Sequence, residues 1–127
     1  MLNTKHIFPK QGDFIWIDAE PHKGKEYGGH NAKKGNIRRP AVVISHEFYN
    51  KATGMVVVFP ITSKDMSDRL NFIKVVSHST NGGINGWIVM GNLLGYDYFA
   101  RNGEIVGAAD SLTKRKLKLA VKNIFDF

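Results

Sequence analysis

The chain has 127 residues, 43% hydrophobic and 23% charged, which suits a single soluble globular domain spanning 1–127. It contains no cysteine, so disulfides, zinc–thiolate sites and cysteine nucleophiles are excluded. Lysine and arginine number 18 against 11 acids, and the net charge of +7 favours a polyanion such as nucleic acid as partner.

The first ten residues lack the continuous apolar stretch of a signal peptide, and the run Met55–Phe59 is too short to cross a bilayer. The expectation is a cytoplasmic protein with no membrane partner. Asp13–Asp18 predicts a strand buried on both faces, because Phe14, Ile15, Trp16 and Ile17 leave no polar side. Residues 19–38 form a long charged loop with four glycines, of a length that compact domains keep for function or leave disordered. A second strand runs from Arg39 to Ser45, with Pro40 near its start, where a missing N–H is tolerated.

Asn50–Gly54 carries turn chemistry and leads into a third strand, Met55–Phe59. A fourth strand spans Asn71–Ser77, and the turn Asn81-Gly82-Gly83 precedes a fifth from Gly86 to about Leu93. From Ser111 or Thr113 the pattern becomes helical, with Leu112, Leu117, Ala120, Val121 and Ile124 on one stripe. Lys114, Arg115, Lys118 and Lys122 lie mostly off it, either as a solvated face or as RNA contacts. Short strands with Gly and Asn turns, closed by one helix, predict a mainly β fold, a small barrel rather than a parallel sheet.

Chemistry concentrates where the long loop meets the strands. Glu26 follows the first strand, Arg39 opens the second, and Thr62 follows the third within Pro60-Ile61-Thr62-Ser63-Lys64. A carboxylate, a fixed cation and a neutral donor suit RNA transesterification. A base must take the 2′-hydroxyl proton while a guanidinium fork meets the charge on the phosphorus oxygens. Glu26 and His30 are both candidates for the base. An Arg nearby keeps Glu26 ionised yet weakens it, whereas an imidazole titrates near pH 6.5. Two roles are open to the hydroxyls of Thr62 and Ser63, capping the strand end or contacting a phosphate. Phe48, Tyr49, Tyr96, Tyr98 and Phe99 divide between core packing and stacking on bases. The five histidines show no ligand spacing, so neither metal nor cofactor is expected.

Together these segments resemble the MazF/PemK-like toxins of type II toxin–antitoxin systems. The resemblance rests on Gly12–Asp18 (GDFIWID), Pro21–Glu26 (PHKGKE), Arg39–Ser45 (RPAVVIS), Tyr49–Met55 (YNKATGM) and Phe59–Thr62 (FPIT). It implies an SH3-like barrel of the MazF/PemK/CcdB type, working as a homodimer. It also implies a sequence-specific, metal-independent endoribonuclease acting on single-stranded RNA and leaving 2′,3′-cyclic phosphate and 5′-hydroxyl ends. A cognate antitoxin would block the RNA groove with an acidic segment. Glu26, Arg39 and Thr62 match the family's catalytic positions, with Lys25, His30, Lys33, Lys34, Arg38, Ser63, Lys64 and Asn92 expected to bind RNA.

There are two departures. Asn31–Arg38 looks like an insertion, open to reading as an RNA track, a flap or simple drift of the loop. Gly91-Asn92 stands where many relatives carry Asp-Gln, which removes one catalytic mode and leaves Asn92 the polar role of the Gln. Asp97 and Arg101 match a downstream pair of structural character. The alternative is a non-catalytic barrel of the same fold that binds nucleic acid, or binds gyrase through its C-terminal residues.

Overall fold

In the computed structural model, which describes residues 7–19, 37–76 and 83–126, strand β1 (Asp13–Asp18) has the expected bounds. Its alternation serves two cores. Phe14 packs in a cluster with Val42, Phe59, Ile61, Ile88 and Leu117, and Trp16 packs against it. Ile15 and Ile17 turn the other way, toward Ala41, Val43, Val56, Val58 and Tyr98. Burial on both faces explains the nearly continuous apolar run.

The remaining elements are β2 (Arg38–Val43), α1 (Glu47–Thr53), β3 (Met55–Thr62), β4 (Phe72–Val76), β5 (Asn85–Val89), β6 (Leu94–Asp97), β7 (Glu104–Ala108) and α2 (Ser111–Phe125). The strands pair in the order β4-β5-β3-β2-β1-β7, and β6 also pairs with β3. All of these ladders are antiparallel. β3 is therefore the hinge of the barrel. Residues 55–58 pair with β6, and Ile61 and Thr62 pair with β5.

β1 and β2 pair antiparallel, and their last pair is Asp18↔Arg38, so the end of β1 and the start of β2 lie side by side at one end of the sheet. Helix α2 covers the first cluster through Leu117, with Ala120 and Val121 partly buried beside it. Asp110 caps its start by accepting from Thr113 N–H at 2.8 Å. That bond holds the Asp110 carboxyl below its usual pKa.

The structure corrects several sequence expectations. Asn50–Gly54, expected as a turn, ends helix α1. Gly54 is its left-handed cap at φ 76°, with its N–H on Asn50 O at 2.9 Å. Turns and helix C-caps need the same residue types, which is why the two look alike in sequence. β3 does not stop at Phe59 but continues through Pro60 to Thr62. Pro60 is tolerated because it makes the last pair of the β2–β3 ladder, opposite Ala41. The fifth strand ends at Val89, and β6 and β7 were not foreseen. On α2, Leu112 and Ile124 remain exposed, because only the middle of the apolar stripe meets the sheet.

Candidate active site at the open end of the hairpin

Arg38 and Arg39 are adjacent in sequence, and strand alternation sends them to opposite faces of β2. Arg38 lies on the face of Trp16 and Asp18. Its Nη1 donates to Asp18 Oδ1 at 2.9 Å and to Asn102 O at 2.7 Å, and its Nη2 is 3.4 Å from Glu104 Oε1. The buried Asp18 carboxylate also accepts from Asn102 Nδ2 at 2.7 Å. Asn102 sits at φ 53°, a left-handed backbone that Asn adopts more readily than most side chains. Asp18 N–H donates to Arg101 O at 2.8 Å, which fastens the same corner through the backbone. Arg38 is thus met by the protein's own acceptors and ties the start of β2 to Asp18, Asn102 and Glu104.

Arg39 is exposed, and among the described residues no carboxylate lies within ion-pair distance of it. It stands opposite Ile17 on β1. Arg39 and Thr62 are each two residues past the pair Ala41↔Pro60, on the face those residues share. Thr62 Oγ1 accepts from Lys64 N–H at 3.2 Å. The capping role foreseen for this hydroxyl is therefore real, yet it uses only an oxygen lone pair, and the O–H can still donate. Ser63 and Lys64 follow as exposed residues. Thr62 pairs across the sheet with Trp87 on β5, which pairs with Lys74 on β4.

The arrangement sets a guanidinium with no acidic partner among the described residues and a hydroxyl donor on one strand-end face. Such a pair can hold two oxygens of a phosphate. Lys25, Glu26, His30, Lys33 and Lys34 lie outside the described residues, as do all of 20–36. Asn92 is exposed in the turn between β5 and β6, its N–H on Val89 O at 3.3 Å. Asp97 and Arg101 are joined through the backbone, Arg101 N–H to Asp97 O at 3.0 Å, so both shape the corner that receives Asp18.

Sequence reasoning missed Trp87, Lys74 and the Asp18–Asn102 partnership. An acid ending a doubly buried strand signals a buried partner, but no local pattern names a residue 84 positions away. Among the described residues no group of three or more His, Asp or Glu is placed to hold a metal ion, and no helix is long and apolar enough to cross a membrane.

A cleft of about 450 Å³ lies along α2, lined by Gln11, Ile44, Lys114, Arg115, Leu117 and Lys118 among others. It offers cations and apolar surface but no carboxylate or imidazole.

Comparison with known proteins agrees with this geometry. Residues 10–125 match the family described as PemK-like, MazF-like toxin of type II toxin–antitoxin system. The endoribonuclease toxin MazF of Escherichia coli K12 is 45% identical over 56 residues, which span 44% of this chain and 43% of that protein. The endoribonuclease toxin ChpB of the same organism is 28% identical over 109 residues, 85% of this chain and 87% of ChpB. The crystal structure of MazE–MazF from Deinococcus radiodurans superimposes with a TM-score of 0.73 at 20% identity, covering 94% of this chain and 97% of that one.

Proposed function

The chain belongs to the PemK-like, MazF-like toxin family of type II toxin–antitoxin systems, and from that membership we propose that it is an endoribonuclease cutting single-stranded mRNA in the cytoplasm at a short recognition sequence. The observation that carries the reading is the exposed Arg39, without an acidic partner among the described residues, on the strand face that also bears Thr62. A cation with no acidic partner among the described residues, beside a neutral donor, suits an anionic ligand, whereas Arg38 next to it is already met by Asp18 and Asn102. The MazF and ChpB relatives are named as endoribonucleases, which supports the same chemistry here.

In the proposed reaction the 2′-oxygen attacks the adjacent phosphorus as its proton passes to Glu26 or His30. The bond from phosphorus to the 5′-oxygen breaks, and that oxygen leaves with a proton. Arg39 places its fork on the non-bridging oxygens, where negative charge grows, and Thr62 donates to the same group. The products are a 2′,3′-cyclic phosphate and a 5′-hydroxyl, and no metal takes part.

Lys25, Lys33, Lys34, Ser63, Lys64 and Asn92 hold the strand, and Arg38 supports them by tying the start of β2 to Asp18, Asn102 and Glu104. The active form is a homodimer restrained by a cognate antitoxin, in keeping with the MazE–MazF complex.

The test is a synthetic single-stranded RNA carrying one cleavage site in EDTA, with and without a 2′-deoxy sugar at the scissile nucleotide. The all-ribose strand is expected to yield a cyclic-phosphate end, and the 2′-deoxy strand to stay whole. Cleavage of the 2′-deoxy strand refutes the mechanism.

A further inference from the structure

On the Arg39–Thr62 face, Trp87 is a large aromatic side chain that belongs to neither apolar cluster. Its neighbours on β5, Gly86 and Ile88, are buried, while Trp87 is half-exposed on the opposite side of the strand. It lies opposite Thr62 in the β3–β5 ladder and opposite Lys74 in the β4–β5 ladder.

Gly86 sets this closeness. A Cβ there would sit 2.5 Å from Thr62 O and 2.9 Å from Ile61 Cγ2, so the two strands approach as only glycine permits. Lys74 Nζ stands 5.2 Å from the centre of the indole ring, so an ammonium lies over that face of the ring.

We propose that Trp87 is a nucleobase-stacking residue for the RNA strand that passes Thr62, and that Lys74 contacts a phosphate of the same strand. The proposal rests on the ribonuclease reading above. An indole face stacks on any unpaired base. Strand spacing of about 4.8 Å puts the indole next to the Thr62 hydroxyl, so the base it holds adjoins the scissile phosphate. A cation–π contact at an exposed site is weaker than base–aromatic stacking, so an entering base displaces the ammonium. Lys74 then swings from the ring to the phosphate, keeping its charge matched. Trp87 therefore selects the nucleotide beside the cut by how well it stacks.

The probe is a mixed-sequence, single-stranded 2′-O-methyl RNA 12-mer, which cannot undergo transesterification. Its binding is followed by tryptophan fluorescence and by anisotropy of a labelled strand. The wild type is expected to lose emission on binding, and Trp87→Phe, which keeps only Trp16, is not. Trp87→Ala is expected to bind about tenfold more weakly. Trp87→Phe should stay within about threefold, and Lys74→Gln should flatten the salt dependence by about one charge. With cleavable RNA, Trp87→Ala should raise KM more than it lowers kcat and relax the preference next to the cut.

If the wild type cleaves RNA while Trp87→Ala binds and selects sites unchanged, this proposal falls and the ribonuclease reading stands. If the wild type neither binds nor cuts RNA, both fall. Should Trp87→Ala fail to fold, binding by the wild type without loss of emission still overturns the stacking role.

Discussion

Replacing the two adjacent arginines one at a time by alanine should separate stability from activity. Arg38→Ala removes the 2.9 Å bond to Asp18 and the 2.7 Å bond to Asn102 O, so the buried Asp18 carboxylate loses its guanidinium while keeping the 2.7 Å bond from Asn102 Nδ2. A hydrogen bond to a charged group is worth about 1.5–3 kcal/mol, and breaking a fully buried pair costs about 3–5 kcal/mol. The Arg38 side chain is 36% exposed, so solvent screening cuts the upper figure, and about 2–3 kcal/mol remains.

With an unfolding entropy of about 2.1 cal/mol/K per residue, that loss lowers Tm by roughly 7–11 °C in a chain of 127 residues. Arg39→Ala removes an exposed side chain with no acidic partner among the described residues. Its effect on stability should be under about 0.5 kcal/mol, or about 2 °C. Thermal unfolding by circular dichroism at one fixed protein concentration reads both, which keeps any linked association constant. Equal Tm losses in the two variants, or an undisturbed Arg38→Ala, would refute the division of labour between the two faces of β2.

Three other substitutions or titrations test the frame that holds the site. Asn50 is fully buried, donates to Pro9 O at 2.9 Å and Ser45 O at 3.2 Å, and accepts from the Ser45 hydroxyl. Asn50→Ala strands those groups and should cost about 2–4 kcal/mol, read as a lower urea midpoint with little change in slope. Gly86→Ala drives a methyl into Thr62 O and should destabilise by about 1–3 kcal/mol. It should also slow RNA cleavage by more than the stability loss explains, since Thr62 and Trp87 move apart; wild-type cleavage would contradict this. Burial, with Asp13 and Glu104 adding to it, pushes the Tyr98 phenol up to about 12. The unfolded chain ionises near 10, so this stabilisation is complete below pH 10 and lost as pH rises toward 12. Ultraviolet titration should show the Tyr98 phenol ionising late, and denaturant unfolding should show stability that begins to fall above pH 10.

The parts of the fold that were legible from sequence are those where one local pattern has one meaning. β1 was readable because four consecutive apolar residues admit no solvent face, and α2 because Leu117, Ala120 and Val121 recur at helical spacing. β6 and β7 escaped because Leu94–Asp97 and Glu104–Ala108 are only four and five residues long, each with a glycine, and neither contains a fully buried residue. Arg39 and Thr62 were singled out from their chemistry, a cation and a hydroxyl in the segments around Pro40 and Pro60. Arg38 was grouped with them because both are cations next to a loop. Only the pairing of β2 against Asp18 shows that its charge is already met. Trp87 and Lys74 lay beyond sequence reasoning for a related reason. The ladders that bring them to Thr62 join residues 13 and 25 positions apart, Lys74 with Trp87 and Trp87 with Thr62, and no short motif records such a pairing.

In the proposed mechanism Arg39 stabilises the transition state of RNA cleavage. The most direct measurement is the single-turnover rate on a long single-stranded RNA in EDTA, for wild type and Arg39→Ala, with every fragment end mapped. One electrostatic stabiliser is worth about 2.7–4 kcal/mol, so the variant should cut about 10²–10³ times more slowly at the same short motif, with an unchanged Tm. A variant that cuts at the wild-type rate, or a wild type that leaves the RNA intact while an active relative cuts it, would contradict the account.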